Sequence, residues 1–228
     1  MPNHEQIYKN QAEQYDLMIS RQPRLLDVIE EITSIKGRDV IDLGAGSGRL
    51  TSVIAPHAKS ILALDASAAM LEVNAQQLKE AGLSNWTTKV ADHRELPADD
   101  NSADVIVAGW TVCYLTSSEV PNNERNLDTI IQEMKRVLRP GGTVVIMETM
   151  GTGYETPHPP EFLTKYYSLL ENKYGFSHKW IRLDYQFKDV EEAEQLARFF
   201  FGAELADRVV AEKLATLPEC AGVWWLTV

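Results

Sequence analysis

Hydrophobic positions follow two alternating rhythms along this chain. Short apolar runs bounded by turn residues predict strands at residues 40–43, 60–65, 86–90, 103–109, 143–147 and 222–228. Between them, apolar residues recur at helical spacing. Met70, Leu71, Asn74, Ala75, Leu78 and Ala81 mark one helix, which Ser67 can cap and Gly82 can end. Leu127, Ile130, Ile131, Met134, Val137 and Leu138 mark another, and Pro140 with Gly141 and Gly142 turns the chain into the next strand. Residues 5–32 carry apolar faces that include Ile7, Tyr8, Tyr15, Met18, Leu25 and Ile29, and Pro23 predicts a break into two helices. Further on, residues 161–174, 190–201 and 203–217 read as helices, and residues 180–187 alternate Ile181, Leu183, Tyr185 and Phe187 as an extended segment. Strands that alternate with helices predict an α/β fold with a largely parallel sheet.

The first strand ends in Asp42-Leu43-Gly44-Ala45-Gly46-Ser47-Gly48-Arg49-Leu50. This reads as strand, tight glycine loop and helix, the opening βα unit of a nucleotide-binding sheet. The helix, expected to start near Ser47, would aim its N–H groups at a ligand on the loop. Arg49 stands where the dinucleotide fingerprint needs its third glycine, which counts against a nicotinamide cofactor. Asp65 closes the second strand about twenty residues beyond the loop, where a doubly wound sheet places a carboxylate on ribose hydroxyls.

The loop, with its upstream Asp42, resembles the first motif of the class I S-adenosylmethionine (SAM) dependent methyltransferases. Asp65-Ala66-Ser67, followed by Met70-Leu71, resembles their second motif, whose methionine packs on adenine. Ala91-Asp92-His93-Arg94-Glu95-Leu96-Pro97 resembles the third, where the Asp accepts from the adenine amino group and the next residue offers a backbone N–H. Leu138-Arg139-Pro140-Gly141-Gly142 matches the family's helix-ending turn, and Tyr8, Ala12, Tyr15 and Asp16 resemble its N-terminal cover segment. The resemblance spans about residues 38–149 and is closest to the small-molecule, ubiquinone-biosynthesis-like type.

That resemblance implies a Rossmann-like, doubly wound, seven-stranded and mostly parallel sheet, with helices on both faces and an antiparallel C-terminal edge strand. It divides residues 1–228 into a helical cover (1–36), a cofactor core (37–149), a substrate-covering insertion (150–188) and C-terminal helices with the edge strand (189–228). It implies SAM as cofactor, S-adenosylhomocysteine (SAH) as product, and contacts from Tyr15, Asp42, Gly44, Ala45, Gly46, Gly48, Asp65, Ala66, Met70, Asp92, His93 and Trp110.

Composition narrows the choice of acceptor. The 228 residues suit one domain, and a net charge of −11 argues against a nucleic-acid groove. No apolar run approaches the ~18 residues of a membrane span. The first residues lack a signal pattern, so a cytoplasmic location is expected. Cys113 and Cys220 predict neither a disulfide nor a metal site, and the absence of acids from residues 110–115 argues against a catalytic metal. Val112 before Cys113 is not the Pro-Cys of cytosine methylation. His158, His178 and Glu148 are the candidate catalytic groups. The expected function is methyl transfer from SAM to the O, N or C atom of a small molecule, by a monomer or homodimer. The alternatives are a non-catalytic SAM- or SAH-binding regulatory module and an RNA or protein methyltransferase.

Overall fold

The computed structural model describes residues 4–228. The helices are α1 (His4–Asn10), α2 (Ala12–Ile19), α3 (Leu26–Glu30), α4 (Thr51–Ile54), α5 (Ala68–Glu80), α6 (Cys113–Thr116), α7 (Asn123–Val137), α8 (Glu161–Asn172), α9 (Val190–Phe200) and α10 (Ala203–Glu212). The strands are β1 (Asp39–Leu43), β2 (Ser60–Asp65), β3 (Trp86–Val90), β4 (Ala103–Gly109), β5 (Leu138–Thr152), β6 (Ser177–Arg182), β7 (Tyr185–Gln186), β8 (Thr216–Leu217) and β9 (Glu219–Thr227).

Seven strands form one sheet in the order β3-β2-β1-β4-β5-β9-β6. The first five pair in parallel, and β9 runs antiparallel to both β5 and β6. The C-terminal strand therefore lies one place in from the edge, and β6 forms the edge itself. Period-two alternation in the central strands feeds both faces. Val105, Val107, Val145 and Met147 pack with Leu25, Ile29 and Ile54, while Ile106, Ala108, Val144 and Ile146 pack with α7 and α8 through Ile130, Met134 and Tyr166. Burying each such large aliphatic side chain contributes about 1.5–3 kcal/mol, so the centre of the sheet is the rigid part of the molecule.

One local reading changes. The chain after Leu43 stays in turns through Leu50, and regular helix covers only Thr51–Ile54, although Ser52 N already bonds Gly48 O at 2.9 Å. The loop's positive-φ glycines delay the helix that was expected near Ser47. Within residues 150–188, α8 buries Leu163, Tyr166, Tyr167 and Leu170, and β6 is the edge strand of the sheet. Helix α2 packs against the region from β7 to α10. There Met18 and Ile19 join Tyr185, Phe187, Leu196 and Val209 in a separate apolar cluster.

Candidate active site

The parallel strands end on one side of the sheet, where open α/β sheets bind ligands. Gly44 has φ +69°, and a Cβ there would lie 2.0 Å from Thr111 Oγ1. Gly48 has φ +107°, and its Cβ would lie 2.7 Å from Asn74 Oδ1. Neither position accepts a side chain without displacement. Asp65 reaches back from the end of β2 to fix the loop: its Oδ2 accepts from Gly46 N at 2.9 Å, and its Oδ1 accepts from Ser67 N at 2.8 Å. Burial raises its pKa, and these backbone donors act in the opposite sense. The carboxylate keeps acceptor capacity for an external hydroxyl. Ala66 links Asp65 to the cap residue Ser67, whose Oγ accepts from Met70 N at 3.4 Å. Met70 is buried, and its Cε lies 3.2 Å from where a Gly46 Cβ would stand.

Asp42 lies beneath the loop. Its Oδ2 accepts from Thr51 Oγ1 at 2.5 Å, and Thr51 Oγ1 in turn accepts from Asn74 Nδ2 at 3.0 Å. Burial pushes the Asp42 carboxyl up to about 7, with the nearby Asp65 charge adding to the rise. This chain of bonds ties β1, α4 and α5 together around the glycines. Ala45 is held by its N–H to Leu64 O at 2.8 Å.

The third motif departs from expectation. The Asp92 carboxylate is turned to Arg94, with contacts of 2.9 Å from Nε and 2.7 Å from Nη2, and these bonds hold its pKa down to about 2. The His93 ring is engaged within the protein. Nε2 lies 2.7 Å from Thr111 Oγ1, and burial lowers the imidazole to about 4, so it is neutral. His93 thereby braces the Thr111 side chain that crowds Gly44.

The residues after β4 and the N-terminal helices close the site from above. Trp110 has φ +52°, rare for a bulky residue, and its N–H bonds Met147 O at 2.7 Å. The Arg49 guanidinium lies 3.7 Å from the Trp110 ring centroid. Tyr15 packs edge-on to Tyr8 with ring centroids 5.1 Å apart. His4 stacks on Phe200 at 4.3 Å, and Tyr114 Oη is 3.3 Å from His4 Nδ1. Tyr15, Ile19, Asp42, Gly44, Gly46, Arg49 and Trp110 are among the walls of a cavity of about 30 Å³. Small-molecule pockets usually hold about 300–1,000 Å³, so this cavity is smaller than a cofactor requires.

The candidate catalytic groups are scattered. Glu148, at the active-site end of β5, is wholly enclosed. Its Oε1 accepts from Cys113 N at 3.0 Å and from Tyr166 Oη at 3.4 Å, and burial pushes it up to about 7. It braces the start of α6. His158 is exposed and stacks on Tyr154 at 4.2 Å. His178 lies on the edge strand in register with Trp224, stacked on that ring at 4.4 Å. Strands β4, β5 and β9 stand between it and β1, so the structure does not bring it to the glycine loop.

Two further groups join the site that pattern reading did not single out. Arg49 entered the sequence argument only as a missing glycine. Glu219 opens β9 and is buried at the active-site end of the sheet. Its Oε1 accepts from Thr149 Oγ1 at 2.9 Å, and burial pushes it up to about 7. The available signal was a lone acid opening an otherwise apolar final strand.

Residues 41–146 match a family model described as a methyltransferase domain. A demethylmenaquinone methyltransferase of Bacillus subtilis is 34% identical over 151 residues, covering 64% of this chain and 60% of that protein. Phosphoethanolamine N-methyltransferase 1 of Triticum aestivum is 31% identical over 125 residues, covering 54% of this chain and 24% of that protein. The matched stretch thus spans less than two thirds of the length of either relative. A SAM-dependent methyltransferase from Aquifex aeolicus shares the fold, with a TM-score of 0.60 at 16% identity over 95% of this chain and 98% of that one.

Proposed function

Because the chain belongs to the class I S-adenosylmethionine-dependent methyltransferases, we propose that it transfers a methyl group from SAM to a small-molecule acceptor. The observation that carries this reading is the loop itself: Asp65 grips Gly46 N while keeping acceptor capacity toward the space above. The residues fit the cofactor. Ser47 Oγ, Arg49 Nη2 and Asn74 Oδ1 are buried around the loop without a hydrogen-bond partner among the described residues. Buried polar groups are rarely left so.

Asp65 would hold the ribose hydroxyls, the glycine loop with Trp110 the methionine half, and Met70 with the His93 backbone the adenine. Asp92 Oδ2, which accepts only from Arg94 Nη2, would keep acceptor capacity for the adenine amino group. Bound there, SAM supplies a methyl group on a positively charged sulfur, which needs only an aligned nucleophile. The chain's own contribution is then positioning and exclusion of water. Trp110 and Arg49 would wall the methionine half, with α1 and α2 closing over it. The relatives named for demethylmenaquinone and phosphoethanolamine support an acceptor of that size class. The net charge of −11 speaks against RNA.

The test is transfer of label from methyl-tritiated SAM to three separate fractions of a cell extract: small molecules, total RNA and total protein. Label in the small-molecule fraction is expected. Label confined to RNA or protein overturns the acceptor class, and label in none of them makes the chain a binding module.

A further inference from the structure

Glu219 opens β9 and pairs with Thr152 at the end of β5, so it stands at the same end of the sheet as the glycine loop. Its backbone is committed. Glu219 N donates to Asp184 Oδ1 at 3.1 Å, and Glu219 O accepts from Leu183 N at 2.8 Å. Half of its carboxyl is not. Oε1 accepts from Thr149 Oγ1, while Oε2 is buried without a hydrogen-bond partner among the described residues. Thr152 and Arg49 both act on the carboxyl without bonding Oε2, and the Arg49 guanidinium lies on the Trp110 ring instead. A second acceptor is left over close by. Gln22 Nε2 donates to Leu183 O at 2.7 Å, and Gln22 Oε1 is buried without a partner. Leu183 thus tethers both residues, one through its carbonyl and the other through its N–H.

The two orphaned atoms define the chemistry that would satisfy them. Both are oxygens, so the missing group must donate. Asp184 adds a second negative charge beside Glu219, in a chain of net charge −11. A carboxylate or phosphate entering here meets like charge. An alcohol brings one donor and no charge. A protonated amine brings two or three donors and the positive charge that a buried carboxylate lacks. Tyr185 is buried within electrostatic reach of Glu219, Arg49 and Tyr15, so Glu219 adjoins both the cofactor loop and the N-terminal cover. Aromatic faces of this kind also favour a cation.

We propose that Glu219 recognises the methyl acceptor, and that the acceptor is a small molecule bearing a primary or secondary amine, held as its ammonium on Oε2. This rests on the SAM-dependent reading above and names the substrate class within it. Strands β4 and β5 stand between β9 and the glycine loop on β1. Loss of the Glu219 charge should therefore weaken the acceptor and spare the cofactor.

The test uses the small-molecule fraction of a cell extract and methyl-tritiated SAM. One portion is acetylated with sulfosuccinimidyl acetate and then treated with hydroxylamine, which frees phenols and thiols but leaves acetylated amines blocked. The other receives the quenched reagents. The native chain should label the unblocked portion and lose about 10- to 100-fold of that transfer in the blocked one, the range of a hydrogen bond to a charged group. Glu219→Gln should lose transfer to the unblocked portion by the same factor. Its affinity for SAH by calorimetry should stay within about threefold of native, which also shows that the variant has folded. Undiminished transfer after blocking overturns the inference, as does a Glu219→Gln chain that transfers like the native one. A Glu219→Gln chain that loses SAH as well makes Glu219 a structural brace and overturns it too. No label from the unblocked portion overturns the transfer reading itself, and this inference with it.

Discussion

The hydroxyls of Tyr8 and Tyr114 meet at 2.6 Å, bridging the N-terminal cover and the segment that follows β4. The two rings stand nearly perpendicular, with centroids 6.0 Å apart, and Phe200 and His4 complete the cluster. The cover is also tied to α5, where Gln77 Nε2 donates to Asp16 Oδ2 at 2.9 Å. The nearby cavity is about 30 Å³, less than a small-molecule pocket usually holds, so a cofactor-sized ligand is expected to part this contact on entry.

Tyr8→Phe removes the bridging hydroxyl. A hydrogen bond of this kind contributes about 0.5–1.5 kcal/mol, so the open population should rise by about 2- to 10-fold. Stopped-flow mixing with SAH, followed by tryptophan fluorescence, should show a matching rise in the association rate. An unchanged rate means that ligand enters without displacing the cover.

Gly44→Ala tests the loop's geometry. The new methyl group would be driven into Thr111 Oγ1, at a backbone φ of +69°. Positive φ and overpacking together predict a loss of about 2–4 kcal/mol in urea unfolding. Adding Thr111→Gly should recover the packing part and leave the backbone part. A Gly44→Ala chain within about 0.5 kcal/mol of the native one, the usual range for a neutral surface change, contradicts this account of the loop.

Stability should depend on pH in a definite direction. Asp42, Glu148 and Glu219 titrate near about 7 in the fold, each raised first of all by burial. Unfolded carboxyls titrate near about 4, so between about pH 4 and 7 the native chain holds protons that the unfolded chain has released. Their contribution is complete below that window and is lost as pH rises through it. His93, lowered to about 4, opposes them: the unfolded chain binds a proton there that the fold excludes. Three carboxyls against one imidazole make the first trend dominate. The melting temperature should fall from about pH 5.5 to 8, and Glu219→Gln, shaped like the protonated acid, should flatten the fall. A melting temperature that is flat or rising across that range contradicts the burial of these groups.

What was legible in the sequence was local or periodic. The strand ends, the Ser67 cap and the Gly82 stop follow from neighbours within one turn, and the structure has them where the pattern puts them. Asp65 is separated from Gly46 by one helix and one strand, yet its position follows from a topology that forces β2 beside β1. Contacts without that rule stayed hidden. Arg49 stacks on Trp110 across two loops, a side-chain contact that strand order alone does not fix. Arg94 captures Asp92 from two residues away, a local competition that motif matching does not weigh. His178 lay just before the segment read as extended from 180, and the pattern could not say that it lies on the edge strand.

The central claim is a SAM-family ligand on the glycine loop, and thermal unfolding with and without SAH tests it most directly. Ligand at about 100 times its dissociation constant adds about 2.7 kcal/mol, or roughly 5–10 °C for a chain of this length. The account predicts that shift in the native chain and its loss in Asp65→Ala, a variant that forfeits both the ribose acceptor and the bond to Gly46. A cooperatively unfolding native chain whose midpoint does not move with SAH would contradict it.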